Sequence, residues 1–123
     1  VGRSKEDYLE AILFQLNTNG ACRPTDVATR LGYSKASVSV AFKKLEEEGL
    51  IIRDDWRISL TERGRTIAEN MKNKHDFFMK WFELIGINEK IAIEEACQLE
   101  HIISDDSFYK IVDYLKEKDS RVR

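Results

Sequence analysis

Cys97-Gln98-Leu99-Glu100-His101 places a thiol, a carboxylate and an imidazole at i, i+3 and i+4 of a stretch with helical periodicity. At about 3.6 residues per turn the three side chains share one helix face. A soft thiolate, a hard carboxylate and a borderline imidazole suit divalent first-row transition ions and are poor for Ca2+ or Mg2+. Taken singly, Cys97 reads as a small core residue and Glu100 and His101 as solvated ones. The core of this helix runs through Ala92, Ala96, Leu99 and Ile103, so the triad stands beside the apolar stripe, within reach of a second element.

Asp7 and Glu10 stand one turn apart far upstream, off the apolar side of the first helix. They could serve as a cap and a solvated acid, but a shared cation would give both a reason to face the protein. His75 is the one polar member of the stripe Ile67, Met71, His75, Phe78, Phe82, Ile85. A core histidine with a backbone partner is its ordinary reading. The chain has only two histidines, His75 and His101, and both fall in candidate positions.

The elements that must carry these groups follow from punctuation and period. With 123 residues, 42% hydrophobic and 34% charged, the chain is expected to fold as one ordinary domain or as two small parts sharing a core. One proline and six glycines favour helices. Ser4-x-x-Asp7 resembles a capping box, and Tyr8, Leu9, Ile12, Leu13 and Leu16 form the first apolar stripe. Pro24 opens a second helix that stops at Gly32, and Ser34 opens a third with Val38, Ala41, Phe42 and Leu45 inward. Residues 50–53 and 57–60 read as short strands around an Asp54-Asp55 turn. Thr61 caps a long fourth helix ending at Gly86, Asn88 a fifth through Ile103, and Ser104 a sixth. The tail 116–123 is polar and expected to fray. The first residue is Val1, so the native start is expected to be missing or replaced.

Helix, helix, turn, helix, hairpin is the order of a winged helix-turn-helix. The expected architecture is mainly α: a winged helix-turn-helix with a small two-stranded wing over 1–65, then a helical metal-binding and dimerisation region over 66–123. The third helix has the outer face a DNA reader needs. Ser34, Lys35, Ser37, Ser39, Lys43 and Lys44 are small or basic there, Ala36 and Val40 belong to the same candidate DNA-binding surface, and Arg57 in the hairpin could reach the backbone. A net charge of −2 and a pI near 5.8 argue against a nucleic-acid binder. The acid is concentrated elsewhere, however. Residues 1–60 balance nine basic against nine acidic side chains, whereas 88–107 set Lys90 against six acids. Two cysteines give no disulfide framework, and no signal peptide or membrane-length apolar run is visible, so a cytoplasmic, non-membrane protein is expected.

Together these residues resemble the iron- and manganese-dependent repressors of the diphtheria-toxin-repressor type. The resemblance covers nearly the whole chain. It rests on Asp7-Tyr8-Leu9-Glu10, the helix-turn-helix at 26–50, Leu60-Thr61-x-x-Gly64, Lys74-His75 and, most specifically, Glu95-Ala96-Cys97-x-x-Glu100-His101. It implies a homodimeric repressor of metal-uptake genes, active on a palindromic double-stranded operator when Mn2+ or Fe2+ is bound; Co2+ and Zn2+ are expected to bind in vitro. By it, Asp7, Cys97, Glu100 and His101 would form one site. Glu10 and His75, sharing Glu100 or Cys97, would form a neighbouring one. The chain departs from the pattern at several positions. The manganese branch usually has glutamate where Cys97 stands, and the iron branch often has methionine where Asp7 stands. Ancillary ligands of the iron branch correspond to Met79 and Ile93, so that site is expected to be absent.

A second apolar face on the fourth helix, Phe77, Trp81 and Leu84, is a further reason to expect a homodimer. The rival reading keeps the winged helix and drops the metal: a regulator sensing an organic ligand or an oxidant through Cys97. A winged helix that binds protein is another. No enzymatic activity and no organic substrate are expected, because the carboxylates serve better as ligands than as a general base and no substrate loop is visible.

Overall fold

The computed structural model describes residues 3–122. Six helices and one hairpin follow in the order α1 Arg3–Asn19, α2 Pro24–Leu31, α3 Lys35–Glu47, β1 Ile51–Asp54, β2 Arg57–Leu60, α4 Glu62–Leu84, α5 Glu89–Ile102 and α6 Asp105–Lys118, with a 3-10 turn at Ser120–Val122. They form two compact units, residues 1–69 and 70–123, with α4 beginning in the first and continuing into the second.

The first unit is a winged helix-turn-helix. Its core joins Leu9, Ile12 and Leu13 of α1 to Val27 of α2, Val38, Phe42 and Leu45 of α3, and Ile51 and Ile58 of the hairpin. Pro24 starts α2 where no N–H is needed, and the Asp26 carboxylate accepts from the Arg23 N–H at 3.0 Å. Gly32, at φ 72°, ends α2 with its N–H on the Ala28 carbonyl. Two residues later Ser34 caps α3, its Oγ accepting from the Ser37 N–H at 3.1 Å. The strands pair antiparallel, Ile51 opposite Leu60 and Asp54 opposite Arg57. The turn therefore falls on Asp55-Trp56, one residue later than expected, with Asp55 at φ 58°. The Ile58 N–H donates to the Cys22 carbonyl at 2.9 Å and ties the wing to the segment between α1 and α2.

Thr61 joins the hairpin to α4. Its Oγ1 donates to the Gly49 carbonyl at 2.7 Å and accepts from the Gly64 N–H at 3.1 Å. Gly64 must be glycine, since a Cβ there would overlap the Leu50 carbonyl. These contacts account physically for the Leu60-Thr61-x-x-Gly64 run.

The second unit packs α5 and α6 on the later part of α4. Its core is aromatic: Phe78 and Phe82 of α4 and Phe108 of α6 are buried together with Ala92 and Ala96 of α5. Phe77 stands edge-on to Phe108 with centroids 5.5 Å apart, and Trp81 also packs against this cluster. The expected second face of α4 is thus partly used within the unit, and Phe77, Trp81 and Leu84 all remain half-buried. Ile85, expected in the core stripe, is exposed. The tail also differs from expectation. Val122 is buried, and the Asp119 carboxylate accepts from the Arg121 N–H and lies 2.7 Å from its Nη2. α1 begins at Arg3, before the Ser4 expected to cap it.

Candidate metal centre and DNA-binding surface

α5 carries the Cys97, Glu100 and His101 side chains on one face, as their spacing requires. One ligand atom from each lies within 4.8 Å of the others. First-row ions bind N, O and S donors at roughly 2.0–2.3 Å, which separates donors by about 3 to 4.5 Å. The cluster is close to that range. Cys97 and His101 are half-buried, while Glu100 is 1% exposed. That burial is unexpected, because Glu100 stands beside the apolar stripe rather than in it. Burying a carboxylate costs several kcal/mol unless a cation or donors compensate.

α4 supplies the nearest compensation. His75 Nδ1 lies 3.5 Å from Glu100 Oε1. Glu100 Oε2 is buried and accepts no hydrogen bond among the described residues. An acceptor-only group, sunk in protein beside a thiol and two imidazoles, fits a divalent ion. The donor set therefore fits the metal its chemistry suggests. Asp7 and Glu10 lie one turn apart on α1 of the first unit, both half-buried, with Arg3 Nε 3.9 Å from Asp7 Oδ2.

The outer face of α3 is open. Lys35, Ala36, Ser37, Ser39, Val40, Lys43 and Lys44 are all exposed. Ser34 is exposed too, but its hydroxyl is engaged in the cap and donates to Ser37 Oγ at 2.9 Å. Arg57 lies with its guanidinium 4.9 Å from the centre of the Trp56 ring at the wing tip. The acidic run at the far end of α3 is partly offset: Glu48 takes the Lys5 ammonium at 2.7 Å, and that hydrogen bond holds its carboxyl below the usual range.

Lys74 entered the sequence reading only as part of the Lys74-His75 run, and its burial was not foreseen. It is 4% exposed and donates to the Ile103 carbonyl at 2.9 Å. The available signal was its spacing between Met71 and Phe78, both buried, where an apolar residue would normally stand.

A winged helix joined to a helical unit with clustered thiol, carboxylate and imidazole donors defines a metal-dependent transcriptional regulator. Residues 1–56 match the N-terminal DNA binding domain of the iron dependent repressors, and residues 61–121 match their metal binding and dimerisation domain. The chain belongs to the iron dependent repressor family. It is 30% identical over 124 residues to the HTH-type transcriptional regulator MntR of Oceanobacillus iheyensis, covering 98% of this chain and 84% of that one. Among solved structures it is similar to a manganese-dependent transcriptional repressor in complex with manganese, at 28% identity and TM-score 0.78, covering 91% of this chain and 52% of that one. It is also similar to ScaR with bound Zn2+, at 30% identity and TM-score 0.76, covering 91% and 53%. The family is one of transcriptional regulators rather than enzymes. No helix among the described residues is long and apolar enough to cross a membrane.

Proposed function

We propose that this protein is a homodimeric repressor of metal-uptake genes that binds a palindromic operator when loaded with Mn2+ or Fe2+. The convergence of Cys97, Glu100 and His101 with His75 beside them carries this reading. Asp7 and Glu10 complete the ligand set on the strength of the resemblance. Bound metal supplies a divalent charge that neutralises the thiolate and carboxylates.

Each residue then has a part. Glu100, buried and acceptor-only, holds negative charge where water cannot screen it. His75 and His101 offer neutral imidazole nitrogens, and Cys97 a soft donor that pulls preference toward Fe2+, Co2+ and Zn2+. Asp7, Glu10 and Glu100 pull toward Mn2+. On α3, Lys35, Lys43 and Lys44 would meet phosphates. Ser34, Ser37 and Ser39 would meet phosphates or base edges, and Ala36 and Val40 would make apolar contact with thymine methyl groups. Arg57 of the wing would reach the backbone. In functional terms, 1–65 reads DNA and 66–123 binds metal and its own copy.

Two recognition helices in a two-fold dimer fit half-sites about one DNA turn apart. Linkage between metal and DNA is worth roughly 1–3 kcal/mol and is reciprocal, so operator must tighten metal binding as metal tightens operator binding. Calorimetric titration of the chelator-stripped protein tests the metal reading. Saturable binding of Mn2+ and anaerobic Fe2+ is expected, and no binding of either ion would refute it.

A further inference from the structure

Lys74 is a charged residue at a position of α4 that faces away from water. A lysine ammonium removed from solvent needs excellent partners, and Lys74 has two. Its Nζ donates to the Ile103 carbonyl at 2.9 Å and lies 2.7 Å from Asp105 Oδ1. Asp105 is held in turn, its Oδ2 accepting from Asn70 Nδ2 at 3.2 Å. Asn70 Oδ1 accepts from the Tyr109 hydroxyl at 2.9 Å. A continuous polar chain thus joins α4, the turn between α5 and α6, and α6 itself.

Ile103 is the C-terminal cap of α5. The last carbonyls of a helix lack internal partners, and a cation there also suits the helix dipole. One turn before Ile103 stand Glu100 and His101. His75, next to Lys74 on α4, lies 3.5 Å from Glu100. Two consecutive residues of α4 therefore grip α5 at two points three residues apart, the Glu100 carboxylate and the Ile103 carbonyl.

We propose that Lys74 is a positioning residue for the metal centre: held by Asp105, it fixes the last turn of α5 so that Glu100 and His101 face His75. The inference rests on the metal reading above. A merely structural lysine would act on stability, yet Asp105 is exposed, so Lys74→Met strands no buried charge. A residue that orients ligands acts on affinity instead, typically by roughly 10–100-fold.

The test is titration of the metal-free full chain with Co2+, read by calorimetry and by the visible spectrum, alongside thermal melting of the metal-free protein. Lys74→Met should melt close to the parent, bind Co2+ roughly 10–100-fold more weakly and show an altered spectrum. Lys74→Arg should recover most of the affinity. If Lys74→Met fails to fold, Asp105→Ala decides the matter, since Asp105 is exposed; it should weaken Co2+ binding several-fold. Parental affinity in the folded variant overturns the proposal, as does a loss of affinity matched by an equal loss of metal-free stability. Failure of the parent chain to bind Co2+ would instead strike the metal reading itself.

Discussion

His75 Nδ1 on α4 and Glu100 Oε1 on α5 face each other at 3.5 Å, with the glutamate fully buried and the histidine partly open to solvent. Residues 25 apart in the chain thus bring an imidazole to a carboxylate that already shares its helix face with Cys97 and His101. The other Glu100 oxygen, Oε2, is buried and accepts no hydrogen bond among the described residues, which is the observation the proposed metal centre would explain.

Glu100→Gln should separate binding from folding. Neutralising a buried carboxylate removes a desolvation cost, so the metal-free variant should melt at or above the parent temperature. Mn2+ affinity should fall by at least the roughly 10–100-fold seen for residues outside the first ligand shell. His101→Ala should lose metal in the same way while remaining folded. Calorimetry and thermal melting check both; collapse of metal-free stability in Glu100→Gln would mean that the carboxylate is structural.

Cys97→Glu exchanges a soft donor for a hard one and should shift preference toward Mn2+ over Fe2+ and Co2+. The parent protein with Co2+ should show a thiolate charge-transfer band that the variant lacks. An unchanged metal ranking, with no such band in the parent, would place Cys97 outside the centre.

The two cysteines should differ in reactivity. Burial, and then the nearby Asp26 charge, push the Cys22 thiol up to about 12 from 9.0. Thiolate-directed alkylation of the native protein near pH 8 should therefore modify Cys97 and spare Cys22. Added Mn2+ should slow the reaction at Cys97, and denaturant should expose both. The folded Cys22 keeps its proton where the unfolded chain releases it. Its contribution to stability is complete below about 9 and is lost as pH rises toward 12. Mass spectrometry of the alkylated peptides gives the ratio.

Lys35→Ala, Lys43→Ala and Lys44→Ala should weaken binding on many DNA sequences alike, each flattening the salt slope by about 1. Ser37→Ala and Ser39→Ala should alter sequence preference more than bulk affinity. Salt-dependent anisotropy titrations on several duplexes distinguish the two patterns, and lysine variants with unchanged slope would remove α3 as the reader.

Much of this molecule could be read from its residues, and the reasons are local. Pro24, Gly32, Ser34, Thr61, Asn88 and Ser104 mark helix ends through their own backbone and side-chain chemistry. Cys97, Glu100 and His101 share a face by helical period alone. What escaped is set by neighbours. The burial of Glu100 depends on what covers the edge of the α5 stripe. Period alone could not reveal that Phe77 and Trp81 also pack against the Phe108 cluster, although both, with Leu84, stay half-buried. Val122 is buried although it lies in a polar tail. Lys74 sits at a buried period but carries a charge, and only its partners Ile103 and Asp105 reconcile the two.

Metal control of DNA binding is the most direct test. A duplex selected from a random-sequence library in the presence of Mn2+ would be titrated with protein in excess Mn2+, in anaerobic Fe2+ and in chelator. A tight complex is expected with either ion, lost in chelator and regained when metal is restored. Equal affinity in metal and in chelator would contradict metal control.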